Sequence, residues 1–322
     1  MPNGYSICVG TVGSSLWHSP DSGNTWGRIR DPFPGESQVR ALAVDPKTPQ
    51  IVFAGADTGF FRSEDAGASW EKLDSPMDGM KIWSIAIDPA DPEVIFVGTS
   101  PPFLFRTRDG GRTWEKLGAT IAQECAIGLP RVTAMVVDPV DRGTVWAGVE
   151  IDGVYRSLDA GDTWTQVQGG ITDPDIHGMV IVAGPQKSVL LSTPRQIFAS
   201  SDVGESWRSV VMTEQFAMTY CRWLAVKADD PKVIFAANGD AAIGSTGTIQ
   251  RSTDGGETWE TRPLPVEPNS PIWGFATHPS DPDLVLANSL YGELYRSNDA
   301  GGSWEKLKRE FSEVRALAWM PN

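Results

Sequence analysis

Three arginines far apart in the chain sit in near-identical surroundings: Val39-Arg40-Ala-Leu-Ala-Val, Cys221-Arg222-Trp-Leu-Ala-Val and Val314-Arg315-Ala-Leu-Ala-Trp. A guanidinium presents a planar fork of donors that matches the paired oxygens of a carboxylate, sulfate or phosphate. Brought to one cavity, Arg40, Arg222 and Arg315 would form an oxyanion clamp. The corresponding place in related segments is held by Trp83, Thr133, His177 and Trp273, and Trp223 follows Arg222 directly. Tryptophans offer flat apolar walls for a sugar or an aromatic ring. His177 could serve as a general base, with Tyr220 or Glu150 as its partner. Arg131 and the loop acids Asp57 and Asp240 complete the candidate set. A pair of loop carboxylates at suitable separation would permit glycoside hydrolysis. A structural alternative stands beside this reading: the arginines would pair with acids such as Glu36 or Glu313, and the tryptophans would only pack.

What aligns these residues is an internal repeat. The run Ser19-Pro-Asp21-Ser-Gly23-Asn-Thr25-Trp26 returns at Ser63 to Trp70, Thr107 to Trp114 and Ser157 to Trp164, with further copies ending in Trp207, Trp259 and Trp304. The closing tryptophans are 44, 44, 50, 43, 52 and 45 residues apart. In each copy the Asp carboxylate can accept N–H groups within a turn, and the Gly supplies a positive φ. Short alternating segments flank the box, and upstream of it lie an apolar segment ending in Asp-Pro, such as Val39 to Pro46, and another ending in Gly, such as Ile51 to Gly55. One repeat is thus four strands, here lettered A to D with the box between C and D. Four-stranded units of this length are blades of a β-propeller.

The N-terminus opens on a B strand, Ser6 to Gly10, and the last A strand, Val314 to Pro321, has no blade after it. The expectation is an all-β, single seven-bladed propeller spanning residues 1–322, closed by the C-terminal strand completing the first blade. Closure removes a sheet edge that would otherwise need protection. The boxes and the Asp-Pro turns then share one face, which leaves the longer D–A and B–C connections on the other. Added sequence falls there: Gly118 to Arg131, Met212 to Tyr220, and Asn238 to Gly247. A pocket or lid over the third to sixth blades is expected, because function concentrates in irregular loops on a rigid scaffold.

At its boxes the chain resembles the BNR or Asp-box repeat propellers, which include sialidases, xyloglucanase-type glycoside hydrolases, sortilin-type receptors and photosystem II assembly factors. The resemblance covers essentially all of the chain and speaks for the fold far more than for any activity. It implies that Asp21, Asp65, Asp109, Asp159, Asp202, Asp254 and Asp299 are structural. Sialidases of this type are six-bladed and need a Tyr–Glu nucleophile pair, which cannot be assigned here. Xyloglucanase-type enzymes work in a cleft between two propellers, and this chain has one. Photosystem assembly factors use an arginine-bearing face to hold a protein.

Composition excludes several classes. A net charge of −14 argues against nucleic acid as a partner, and the absence of a long apolar run argues against a membrane span. The first residues show no basic and apolar leader, so a cytoplasmic protein is expected, although a trimmed secreted one would read the same. Three scattered cysteines, Cys8, Cys125 and Cys221, form neither a disulfide set nor a metal spacing. His18 and His278 stand where other repeats carry arginine and the Asp of Asp-Pro, and are read as structural. No cofactor or metal is expected, with calcium held by loop carboxylates left open. The leading expectation is a cofactor-independent hydrolase or lyase acting on a small anionic or sugar-acid substrate. A protein-binding assembly module and a glycan-binding propeller remain alternatives.

Overall fold

The computed structural model describes residues 4–126, 128–184, 186–210 and 214–322. Seven four-stranded antiparallel sheets account for all its strands, and no helix occurs among the described residues. The fold class is an all-β, seven-bladed β-propeller, as the repeat implied. By its contacts the chain divides into two compact units, 1–166 with 315–322, and 167–314.

In the first unit, the opening blade joins both ends of the chain, because strand Val314–Pro321 pairs along Tyr5–Thr11. The seam is fastened by polar contacts as well as by the ladder. The Ser6 hydroxyl donates to the Asn322 side-chain oxygen at 2.9 Å, and the Asn322 N–H donates to the Gly4 carbonyl at 3.1 Å. The next blades begin at Val39, Lys81 and Val132. Those of the second unit begin at Gly178, Tyr220 and Ile272. In every blade the D strand is short, two or three residues, which limits the exposed edge available for unwanted pairing.

Neighbouring blades within a unit meet through apolar faces of their A, B and C strands. One cluster joins Phe53 and Phe60 to Ile82, Ile95, Val97 and Phe105. In the second unit Phe235 and Ile249 meet Ile272, Phe275, Val285 and Tyr295. Close approach explains the glycines that end the B strands. A Cβ on Gly55 would lie 2.2 Å from Ile82, and one on Gly98 would lie 2.4 Å from Val132.

The boxes follow one wiring diagram. In the third blade Asp109 Oδ1 accepts the Thr107 hydroxyl at 2.7 Å and the Thr113 N–H at 2.8 Å, while Oδ2 accepts the Thr113 hydroxyl at 2.7 Å. The Thr107 hydroxyl oxygen accepts the Gly111 N–H at 3.0 Å, and the Trp114 indole donates to the Gly111 carbonyl at 3.1 Å. These donors, led by the hydroxyl of the residue four positions on, hold the carboxyls of Asp109, Asp159 and Asp202 down to about 2. The box glycine has a second duty that turn chemistry alone does not reveal. It abuts the preceding blade: a Cβ would sit 2.2 Å from Cys8 at Gly67, 2.7 Å from Phe96 at Gly161 and 2.5 Å from Phe235 at Gly301. Within a unit, these boxes therefore clip one blade onto the blade before it.

His278 fills the Asp position of its turn, as expected. Asp45, Asp88 and Asp138 each accept two backbone N–H groups there, and His278 Nδ1 accepts the Ser280 N–H at 3.1 Å. His18, at the arginine position of the first blade, lies against the Ala66–Gly67 turn of the next box.

Two outcomes follow. Gly67→Ala combines a φ of +88° with the Cys8 collision, whereas Gly13→Ala has a φ of +80° and open space around it. By urea unfolding, the first should cost on the order of 3 kcal/mol and the second about 1 kcal/mol. For His278, burial holds the pKa below the ordinary imidazole value. The folded state thus prefers the neutral acceptor, so its contribution is present above the unfolded pKa and lost as pH falls through the lowered folded one. His278→Asp should leave the melting temperature near that of wild type at about pH 8 and raise it at about pH 5. Equal shifts at both pH values would contradict the acceptor role.

Candidate functional site

The aligned A-strand position has a common backbone cause. In five blades the ladder between A and B slips by one residue, between Val39 and Ala41, Ile82 and Ser84, Val132 and Ala134, Cys221 and Trp223, and Ile272 and Gly274. Arg40, Trp83, Thr133, Arg222 and Trp273 are the extra residues. A β-bulge inserts one residue and re-aims its side chain without flipping the rest of the strand to the wrong face. The fold thus exports one freely variable side chain per bulge.

In the first unit two of these exports, Arg40 and Trp83, meet, and Arg131 and Arg315 join them. The guanidinium carbons of Arg40, Arg131 and Arg315 lie 4.6, 4.9 and 5.9 Å from its ring centroid. Cation–π attraction at a partly buried ring is worth about 0.5–2 kcal/mol per contact, and here it gathers like charges that repel one another. Arg131 is countered by Glu150, at 3.0 Å, a carboxylate only 7% exposed. Arg40 donates to Gln38 Oε1, and the Gln38 N–H donates to Asp57 Oδ1 at 2.9 Å. Asp57 thus acts on the cluster through Gln38, as a positioning residue. The indole N–H of Trp83 is buried and has no acceptor among the described residues. Arginine and tryptophan side chains only donate, so this cluster is rich in donors.

In the second unit the Arg222 guanidinium, almost fully buried, lies 4.5 Å over Trp273. His177 is also buried. Its Nδ1 sits 2.9 Å from the Cys221 carbonyl, its Nε2 is 3.5 Å from Asp175 Oδ1, and the Tyr220 ring meets it edge-on at 5.4 Å. A His with a carboxylate behind it can relay a proton. The Cys221 thiol beside it is inert as a nucleophile, since burial pushes its pKa up to about 12.

The remaining candidates take structural places. Trp223 packs against the cluster of Phe235 and Phe275. Asp240 closes its own loop by accepting the Ser245 N–H and hydroxyl, with the backbone donor lowering its pKa most. In the insertion before Arg131, Ile121 enters the core, the Ala122 N–H donates to Asp152, and the Tyr155 hydroxyl lies 2.6 Å from the same carboxylate. The insertion beginning at Met212, itself outside the described residues, lays Phe216 edge-on against Trp259. Asp175 and Gln38 went unnoticed in the sequence although each stands two residues before the aligned position, as Arg131 and Tyr220 do; an acid two residues before His177 was the available signal for the first.

The Cys221 carbonyl can only accept, so neutral His177 must carry its proton on Nδ1. Nε2 then donates to Asp175 only when the ring carries a second proton; ring nitrogen-15 shifts should show Nδ1 protonated, and a proton on Nε2 alone would contradict the Cys221 hydrogen bond.

The BNR/Asp-box repeat family model matches residues 250–261, the box of the sixth blade. A xyloglucanase of Paenibacillus sp is 35% identical over 89 residues, which is 23% of this chain and 9% of that protein. Among solved structures, the GH74 enzyme of Niastella koreensis superposes with a TM-score of 0.67 at 18% identity, over 83% of this chain and 45% of that one. YCF48 bound to D1 peptide gives a TM-score of 0.56 at 16% identity, over 83% and 81% of the two chains. The chain therefore spans under a tenth of the xyloglucanase and under half of the GH74 structure. Blade count and these likenesses agree on the fold: the chain is a seven-bladed β-propeller, with a BNR/Asp-box repeat matched in its sixth blade.

Proposed function

We propose that this propeller binds an acidic glycan and that Arg40, Arg131 and Arg315 hold its carboxylate against Trp83. The observation that carries this reading is the convergence of three guanidiniums and an acceptor-less indole N–H on one ring. Such a donor set favours a ligand that supplies only acceptors. Likeness to glycan-acting enzymes supports a saccharide as the bearer of that group and hydrolysis as the reaction. His177, with Asp175 behind it and Tyr220 at its edge, is then the proton-handling group in the second unit. Glu150 orients Arg131.

A second reading has one specific support. The peptide-bound YCF48 structure matches over most of both chains, as the far longer GH74 enzymes do not. A peptide carboxylate would satisfy the same guanidiniums.

Calorimetric titration separates the two. Oligogalacturonide should bind, with affinity falling as salt rises, and Arg40→Ala with Arg131→Ala should weaken it at least about tenfold, about 1.4 kcal/mol. A neutral xyloglucan oligosaccharide binding equally well would overturn the carboxylate assignment. Preference for acidic peptides over any saccharide would select the second reading. Release of new reducing ends, lost in His177→Ala, tests the hydrolytic step.

A further inference from the structure

One position of the repeat is filled by arginine in five blades, by a histidine in the first and by alanine in the fifth. The last C-strand residue before the box Ser or Thr is His18, Arg62, Arg106, Arg156, Arg251 or Arg296, whereas the fifth blade has Ala199. In the third blade the purpose of that arginine is visible. Arg106 is almost fully buried and crosses to the next box, donating to the Ala160 carbonyl and, at 2.6 Å, to Asp162, while also pairing with Glu115 on its own D strand. The cross-strand partners repeat elsewhere, with Arg62 opposite Glu71, Arg251 opposite Glu260 and Arg296 opposite Glu305.

The fifth blade inverts this arrangement. Ala199 stands opposite Arg208, and the residue equivalent to Asp162 in the next box is Glu257. Arg208 reaches Glu257 from the D strand, on the rim. Over Ala199 lies a recess of about 310 Å³, lined by Ser188, Ala199, Ser206, Trp207 and Glu257 among others, with Arg208 itself on its wall. That is the lower end of the size range of small-ligand sites. All of these residues belong to the second unit.

We infer that this recess is a binding site for a guanidinium group, supplied by the ligand where five other blades supply an arginine of their own. The cation would enter over Ala199, rest along Trp207 and hydrogen-bond Glu257. The prior pairing of Glu257 with Arg208 does not close the site, because Asp162 in the fourth blade's box accepts both Arg106, at 2.6 Å, and Arg108, at 3.1 Å, from the third blade. One carboxylate has enough lone pairs for two forks. The serine hydroxyls around the wall are able to accept the remaining N–H groups, and the Trp207 ring offers an apolar floor.

The test is titration of the whole protein with methylguanidinium, followed by the indole signals of Trp207 in proton–nitrogen spectra. Acetyl-arginine-amide and the peptide Gly-Arg-Gly form parallel arms that distinguish a free from a peptide-borne group. Saturable shifts at Trp207 are expected, weakened at least about tenfold in Glu257→Gln. In Ala199→Arg the built-in side chain should remove binding and raise the melting temperature, which shows that the variant folds. Binding that survives in Ala199→Arg, or saturation by sulfate at Arg208 with no response to any guanidinium, would overturn the assignment. Both results are independent of the outcome at Trp83.

Discussion

Everything in this molecule rests on the box carboxylate. Asp109 and its counterparts gather a hydroxyl two residues back and both an N–H and a hydroxyl four residues on. That grip fixes the turn tightly enough to put a glycine against the previous blade with no room for a methyl group. A turn that only reversed the chain would tolerate many sequences. A turn that must also dock a bare backbone on Cys8, Phe96 or Phe235 demands Asp and Gly together, and this is why the pattern recurs so faithfully. Charged acceptors surrounded by N–H and O–H donors are the stronger class of hydrogen bond, and here they are repeated in every blade.

Rigid repetition of that kind frees other positions. The bulges show where the freedom is used: the pairing slips once in an A strand, one side chain leaves the pleat, and the ladder resumes. Blades can then differ at that residue, as Arg40, Trp83 and Thr133 do, without any cost to the core faces on either side. The same logic governs the position before the box. Arg106 there serves the scaffold, and where Ala199 takes its place a recess lies over it while the blade itself still forms. In a repeat protein the departures from pattern carry the functional information.

This bears directly on what could be read from the sequence. Blade number, strand order and closure by Val314–Pro321 were legible because each depends on residue types at fixed spacing. His278 was legible for the same reason, as an acceptor standing in for an Asp. Arg131 was among the candidates, but its place over the same ring as Arg40 and Arg315 was not legible, since spacing along the chain does not say which ring a long side chain reaches. Gln38 and Asp175 stand two residues before the aligned position, where the residue type changes from blade to blade, so the pattern did not single them out. Asp57 and Asp240 were read as ligand groups from their loops alone, yet their carboxylates accept backbone N–H groups of the chain itself. A short polar loop needs such acceptors for its own closure before it can offer any to a ligand.

Charge, finally, has to be judged locally. The chain carries 41 acidic against 27 basic residues, but many of the acids are consumed by box and Asp-Pro turns, where donors surround them. Lone pairs occupied in that way exert little pull on a distant ligand, and salt screens what remains. Around Trp83 the balance is reversed, with three guanidiniums and an indole donor over one ring. At the fifth blade it is shifted again, with Glu257 left facing a space where its counterpart Asp162 meets a second arginine. An acidic propeller can thus hold an anion in one place and a cation in another, because its scaffold spends carboxylates on turns and exposes charge only where the repeat is broken.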